Sequence, residues 1–232
     1  MNIVFFGDSI TDCGRSRDIE EPNLKLGDGF VNMATAELLL SLPKMDFNIY
    51  NRGISGNKVT DGLARADEDL LSLNPDVVTI LFGINGVWHK YKHGTGITDE
   101  QFDTAYRALL DKLLNHNPNV GIILMEPYAL YFGNADIAWK PEVDERIKIV
   151  KKIARDYHLP LIHLQSAFNK EEKRVDKTRL LFDGVHPAPA GHRMIANLWI
   201  KEFCKVASSL EEETVTYYSN FAYGLAYKSY AY

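Results

Sequence analysis

Short apolar runs alternate along the chain with longer stretches of helical period, and this alternation constrains the fold more than any other feature. Runs at Ile3–Phe6, Phe47–Tyr50, Val77–Phe82, Gly121–Met125 and Leu161–His163, each flanked by Gly, Pro, Asn or Asp, read as strands. Between them, Gly29–Leu42, Val59–Leu73, Asp99–Asn115 and Pro141–Tyr157 gather apolar residues on one helical face, as Val143, Ile147, Val150 and Ile153 do. A last helix is expected from about Ala188 to Val206. Thr98-Asp99-Glu100-Gln101 has the form of a capping box, and Pro141 suits a first helical turn. Such alternation requires right-handed crossovers, hence a mostly parallel sheet with helices on both faces. Ligands of such sheets bind beyond the carboxyl ends of the strands, so the loops there are where chemistry is expected.

A length of 232 residues favours one domain, expected over residues 1–206. Residues 207–232 form a Tyr-rich tail holding six of the twelve tyrosines, with Lys228 the one charge after Glu213. Two readings stay open for it: a disordered terminus, or an arm packed on a neighbouring copy in a homo-oligomer. A net charge of −5 removes the electrostatic reason to expect nucleic acid or an anionic membrane as partner. No run of about eighteen apolar residues is present, so no membrane-spanning helix is expected. The apolar run from Ile3 leaves no room for a basic segment and cleavage site, and a cytoplasmic location is expected. Cys13 and Cys204 are too few for a disulfide scaffold.

Four polar blocks stand at or near predicted strand ends: Gly7-Asp8-Ser9-Ile10-Thr11, Arg52-Gly53-Ile54-Ser55-Gly56-Asn57, Gly83-Ile84-Asn85-Gly86-Val87-Trp88 and Asp183-Gly184-Val185-His186-Pro187. Together they supply a nucleophile, a base with an orienting carboxylate, and hydrogen-bond donors for an oxyanion, the parts that acyl transfer needs. Asp183 precedes His186 by three residues, close enough in a tight loop to hold one imidazole nitrogen while the other faces Ser9. The plain reading of Asp8 is a cap on the following backbone N–H groups.

These blocks resemble the SGNH hydrolases, or GDSL esterases, with Ser9, Gly53, Asn85 and His186 at the name-giving positions, over a span from Gly7 to His192. Asp12-Cys13-Gly14-Arg15, Val87-Trp88 and Ile123-Leu124-Met125-Glu126-Pro127-Tyr128 resemble the branch containing intracellular acetylxylan esterases. The resemblance implies a single-domain three-layer α/β/α sandwich on a five-stranded, mostly parallel, flavodoxin-like sheet. It implies Ser9, Asp183 and His186 as catalytic residues, and an oxyanion hole made by the Ser9 and Gly53 backbone N–H groups and the Asn85 amide. No cofactor is implied. In the third block the family's usual Asp after the Asn is replaced by Gly86, which puts the rigidity of Asn85 in question.

Aromatic residues in the loops after the third and fourth strands suit sugar rings better than long acyl chains, with Trp88, Tyr128 and Tyr131 the candidates for substrate binding. The expected substrate is a small acylated molecule, an acetylated xylo-oligosaccharide or similar sugar, hydrolysed through an acyl-enzyme. The alternatives are a lysophospholipase or thioesterase, and a silent carbohydrate-binding relative. His89 and His93, four apart, lack a wider ligand set and read as solvated loop histidines, so no metal is expected. Cys13 reads as a packed, inert thiol.

Overall fold

The computed structural model describes residues 1–18 and 22–210. Five strands, β1 (Asn2–Gly7), β2 (Asn48–Gly53), β3 (Val77–Leu81), β4 (Gly121–Met125) and β5 (Leu161–Ile162), pair in parallel in the order β2-β1-β3-β4-β5. Each lies within about three residues of the run that predicted it. The helices that matter for the site are α1 (Ser9–Asp12), α2 (Phe30–Ser41), α3 (Val59–Ala64), α4 (Ile84–His93), α5 (Asp99–His116), α6 (Lys140–Asp156), α7 (Leu164–Glu171) and α8 (Pro189–Leu210).

Side chains alternate across a strand, and β1 shows the result. Ile3 and Phe5 join the core under α2 and α8, whereas Val4 and Phe6 join the core under α3, α5 and the second half of α6. Burial on both faces is why the central strands read as unbroken apolar runs. Thr79 is the polar exception, and its hydroxyl accepts a 2.6 Å hydrogen bond from Trp199 Nε1 of α8. Removing that hydroxyl leaves a buried indole N–H unpaired, at a cost of about 1–3 kcal/mol.

The capping box forms as expected: Thr98 Oγ1 accepts from the Gln101 N–H, and Gln101 Oε1 accepts from the Thr98 N–H. The helix expected over Val59–Leu73 is instead broken into α3, a turn at Ala66–Asp69 and a 3-10 turn at Leu71–Leu73. The break falls at Arg65, whose guanidinium lies over the Phe6 ring, donates to the Gly7 carbonyl and pairs with Asp69. Helix α4 stands where the sequence suggested a polar loop, so His89 and His93 are helical neighbours with rings 5.5 Å apart, not loop residues. Helix α8 continues to Leu210, past the boundary expected at 206, and the tyrosines of the tail lie outside the described residues.

Register brings the functional blocks level. Gly7 pairs with Gly53 on one side and Leu81 on the other, so the chain leaves β1, β2 and β3 at one rim. There the strand order reverses between β1 and its two neighbours, the usual place for a ligand crevice in a sheet of this kind.

Candidate active site

Asp8 ends the run out of β1 and caps α1 by accepting the Ile10 N–H at 3.0 Å. This sets Ser9 at the first position of α1, where a backbone N–H has no partner within the helix. Ser9 Oγ lies 2.9 Å from His186 Nε2, and His186 Nδ1 lies 2.8 Å from Asp183 Oδ2. The other Asp183 oxygen accepts the Val185 and His186 N–H groups, and Asn134 donates to Oδ2. The carboxylate therefore fixes both the loop and the imidazole tautomer, with Nδ1 protonated and Nε2 free to take the serine proton. Burial works against the Asp183 charge, but these hydrogen bonds prevail and hold its carboxyl well below the usual range. Burial likewise opposes the His186 charge, and the Asp183 carboxylate outweighs it, raising the imidazole above its ordinary 6.5.

Asn85 is buried near the start of α4, and its Nδ2 donates to the Asn57 carbonyl at 3.1 Å, which leaves the second amide hydrogen for a ligand. Arg65 in turn donates to Asn57 Oδ1, and Asp12 accepts from both the N–H and the hydroxyl of Ser55. The loop from Ile54 to Asn57 is thus held from two sides. The space beside Gly86 is filled by Ile97: a Cβ added there would lie 3.1 Å from Ile97 Cγ1 and 3.8 Å from Arg146 Nη2. Arg146, buried and lying over the Phe102 ring, donates to the Ile97 and Thr98 carbonyls. This packing supports the turn that carries Asn85 without the family's Asp.

Gly53 does not fit the donor role expected for it. Its N–H is committed to Asn51 Oδ1 at 2.9 Å, while Asn51 Nδ2 binds the carbonyls of Thr11 and Leu26. The missing side chain serves close packing, because an added Cβ would lie 2.7 Å from Asp12 Cα. Gly56, three residues on, has φ +83 and open space on the side where a Cβ would stand, the nearest atom being His89 Nε2 at 3.9 Å. Its N–H has no hydrogen-bond partner among the described residues.

Of the three aromatics expected to bind substrate, Trp88 alone reaches the triad, its ring edge-on to His186 with centroids 5.7 Å apart. Tyr128 is fully buried and stacked on Phe168, so it cannot meet a sugar. Tyr131 lines a cleft of ≈ 510 Å³ with Lys140, Lys173 and Lys177, which contains no triad residue. Cys13 is half-buried and packs beside His192. The Phe30 N–H donates to His192 Nδ1, so the ring proton is on Nε2, 3.3 Å from Cys13 Sγ, and burial pushes the thiol up. The sequence reading passed over Phe182, which is 65% exposed and lies beside His186, and whose position just before Asp183 was the available signal.

A sequence model described as GDSL-like Lipase/Acylhydrolase family matches residues 5–194, four-fifths of the chain. The chain belongs to this family. It is 36% identical over 209 residues to an acetylxylan esterase of Geobacillus stearothermophilus, covering 86% of this chain and 92% of that protein. A crystal structure of that esterase superposes with TM-score 0.76 at 34% identity over 87% of this chain and 93% of the other. A structure described as a GDSL-like lipase from Parabacteroides merdae gives TM-score 0.83 at 36% identity over 90% and 96%. Structures of the Geobacillus enzyme described as catalytic mutants carry alanine in place of a serine, an aspartate and a histidine. The chain is accordingly a carboxylic ester hydrolase related to acetylxylan esterases. No helix among the described residues is long and apolar enough to cross a membrane.

Proposed function

We propose that this esterase removes acetyl groups from short acetylated xylo-oligosaccharides or similar sugars through an acetyl-enzyme. The observation that carries the reading is the 2.9 Å contact from Ser9 Oγ to His186 Nε2, with Asp183 on the far nitrogen. Ser9 Oγ attacks the acetyl carbonyl as its proton passes to His186 Nε2. The tetrahedral oxyanion is met by the Ser9 N–H and the Asn85 amide, with the loop donor moved from Gly53 to Gly56. His186 returns the proton to the departing sugar oxygen, leaving acetyl on Ser9. Water then attacks that ester, giving its proton to His186, and acetate leaves as Ser9 is reprotonated. The half-buried Trp88 beside His186 and the relation to an acetylxylan esterase support a sugar as alcohol.

The test is acetate release from acetylated xylo-oligosaccharides beside a 4-nitrophenyl ester series of rising chain length, with Ser9→Ala as control. Ser9-dependent acetate release that falls off beyond short chains is expected, increasing with pH through the His186 titration. Turnover confined to long acyl chains would replace the sugar reading with a lipid or thioester one.

A further inference from the structure

We propose that Phe182 is the floor of a pyranose subsite, holding the sugar whose ester is cleaved; the inference rests on the sugar-ester reading above. The loop from Leu181 to Pro187 folds back on itself: the Phe182 N–H donates to the His186 carbonyl at 3.0 Å, and Leu181 bridges Pro187. That closure stacks the Phe182 ring against His186, with centroids 5.5 Å apart and planes 14° from parallel. Trp88 meets the same imidazole edge-on. Phe182 nevertheless leaves 65% of its surface to solvent, whereas the neighbouring Leu181 and Val185 are buried. A large apolar side chain held this open, on a loop whose backbone is tied by hydrogen bonds, gains nothing for the core.

What the ring offers is a flat apolar surface one residue from Asp183 and next to the base that protonates the leaving oxygen. In the ester the alcohol oxygen must lie within reach of His186 Nε2, so the group carrying it is brought alongside Phe182. A pyranose presents axial C–H bonds on a flat face, which matches an aromatic ring; an ethyl leaving group has no such face to lose. The subsite therefore separates sugar acetates from simple acetates by binding, without touching the acyl transfer itself.

The experiment compares kcat and KM of wild type, Phe182→Ala, Phe182→Leu and Phe182→Trp on acetylated xylo-oligosaccharide and on ethyl acetate. Leu keeps an apolar cover on the imidazole but removes the flat face. The expected result is a selectivity for the sugar ester, read as the ratio of the two kcat/KM values, that drops about five- to tenfold in Ala and Leu, chiefly through KM, and returns in Trp. An unmoved ratio, or parallel losses in kcat on both esters, overturns the subsite. Loss of the ratio in Ala with full recovery in Leu also overturns it, because cover and not a flat face would then be the cause. Wild type that cleaves ethyl acetate and no sugar acetate overturns the sugar-ester reading and the subsite with it, before any variant is made.

Discussion

Asp8 is a carboxyl group with almost no access to water, and its Asn variant has an effect on stability that can be worked out. One oxygen caps α1, and the other is buried without a hydrogen-bond partner. Burial pushes the group from its ordinary 3.8 to about 7, against the Ile10 N–H and the positive charge of His186, which pull it down. The folded protein thus binds this proton more tightly than the unfolded chain, so stability is lost as pH rises from the unfolded value to the folded one. Between about pH 5 and pH 8 the wild type gives up two pH units' worth at about 1.36 kcal/mol each, or about 3 kcal/mol. Asp8→Asn does not titrate. Its amide NH2, replacing the unpartnered oxygen, adds a fixed cost of about 1–3 kcal/mol, which cancels when the two pH values are compared. Thermal melts of both proteins at the two pH values are therefore expected to show the variant gaining about 6–12 °C on wild type between the acid and alkaline conditions. Equal offsets at both pH values would refute the argument that this carboxyl titrates near neutrality.

Asn85→Ala is expected to lower kcat by about 10²–10³ with little change in KM, measured on 4-nitrophenyl acetate. Gly53→Ala is expected to act through packing, lowering the melting temperature by the equivalent of about 1–3 kcal/mol as its Cβ meets the Asp12 backbone. Gly86→Asp places a carboxylate beside Arg146, which has an unpartnered buried Nε, and initial rates are expected to be at least those of wild type; a large loss would mean that Ile97 cannot yield. Tyr128→Phe removes a buried hydroxyl that has no partner, so KM for the sugar ester is expected to hold and stability to rise by up to about 1–2 kcal/mol. A raised KM would return Tyr128 to the substrate path.

The strands were legible because a parallel sheet buried on both faces demands unbroken apolar runs, and the ends of β4 were placed to the residue. Helix α4 was not, because Gly83 and Gly86 around Asn85 carry the composition of a turn; the helix is held by what packs on it, Ile97 from the segment just after it and Arg146 from the distant α6. The contacts among Ser9, His186 and Asp183 were readable, since the order of the blocks and the Asp183–His186 spacing stand in the sequence. The loop proposed to meet the oxyanion was readable only in part. Which of two glycines three residues apart turns its N–H outward depends on Asn51 folding back to bind Gly53, and nothing in Arg52–Asn57 announces that. Aromatic residues in loops look alike in sequence whether they seal the fold, as Tyr128 does, or stand open, as Phe182 does.

Ser9 and His186, the proposed nucleophile and base, are 177 positions apart, with four of the five strands laid down between them. During synthesis Ser9 emerges before four of the strands and waits for a histidine made after the last of them. Until the segment with His186 docks, Ser9 lacks the imidazole proposed to take its proton, so on the proposed mechanism a half-folded chain does not hydrolyse esters. Hydrolysis measured during refolding would then time the arrival of that final segment, and catalysis becomes its own report that the chain has closed.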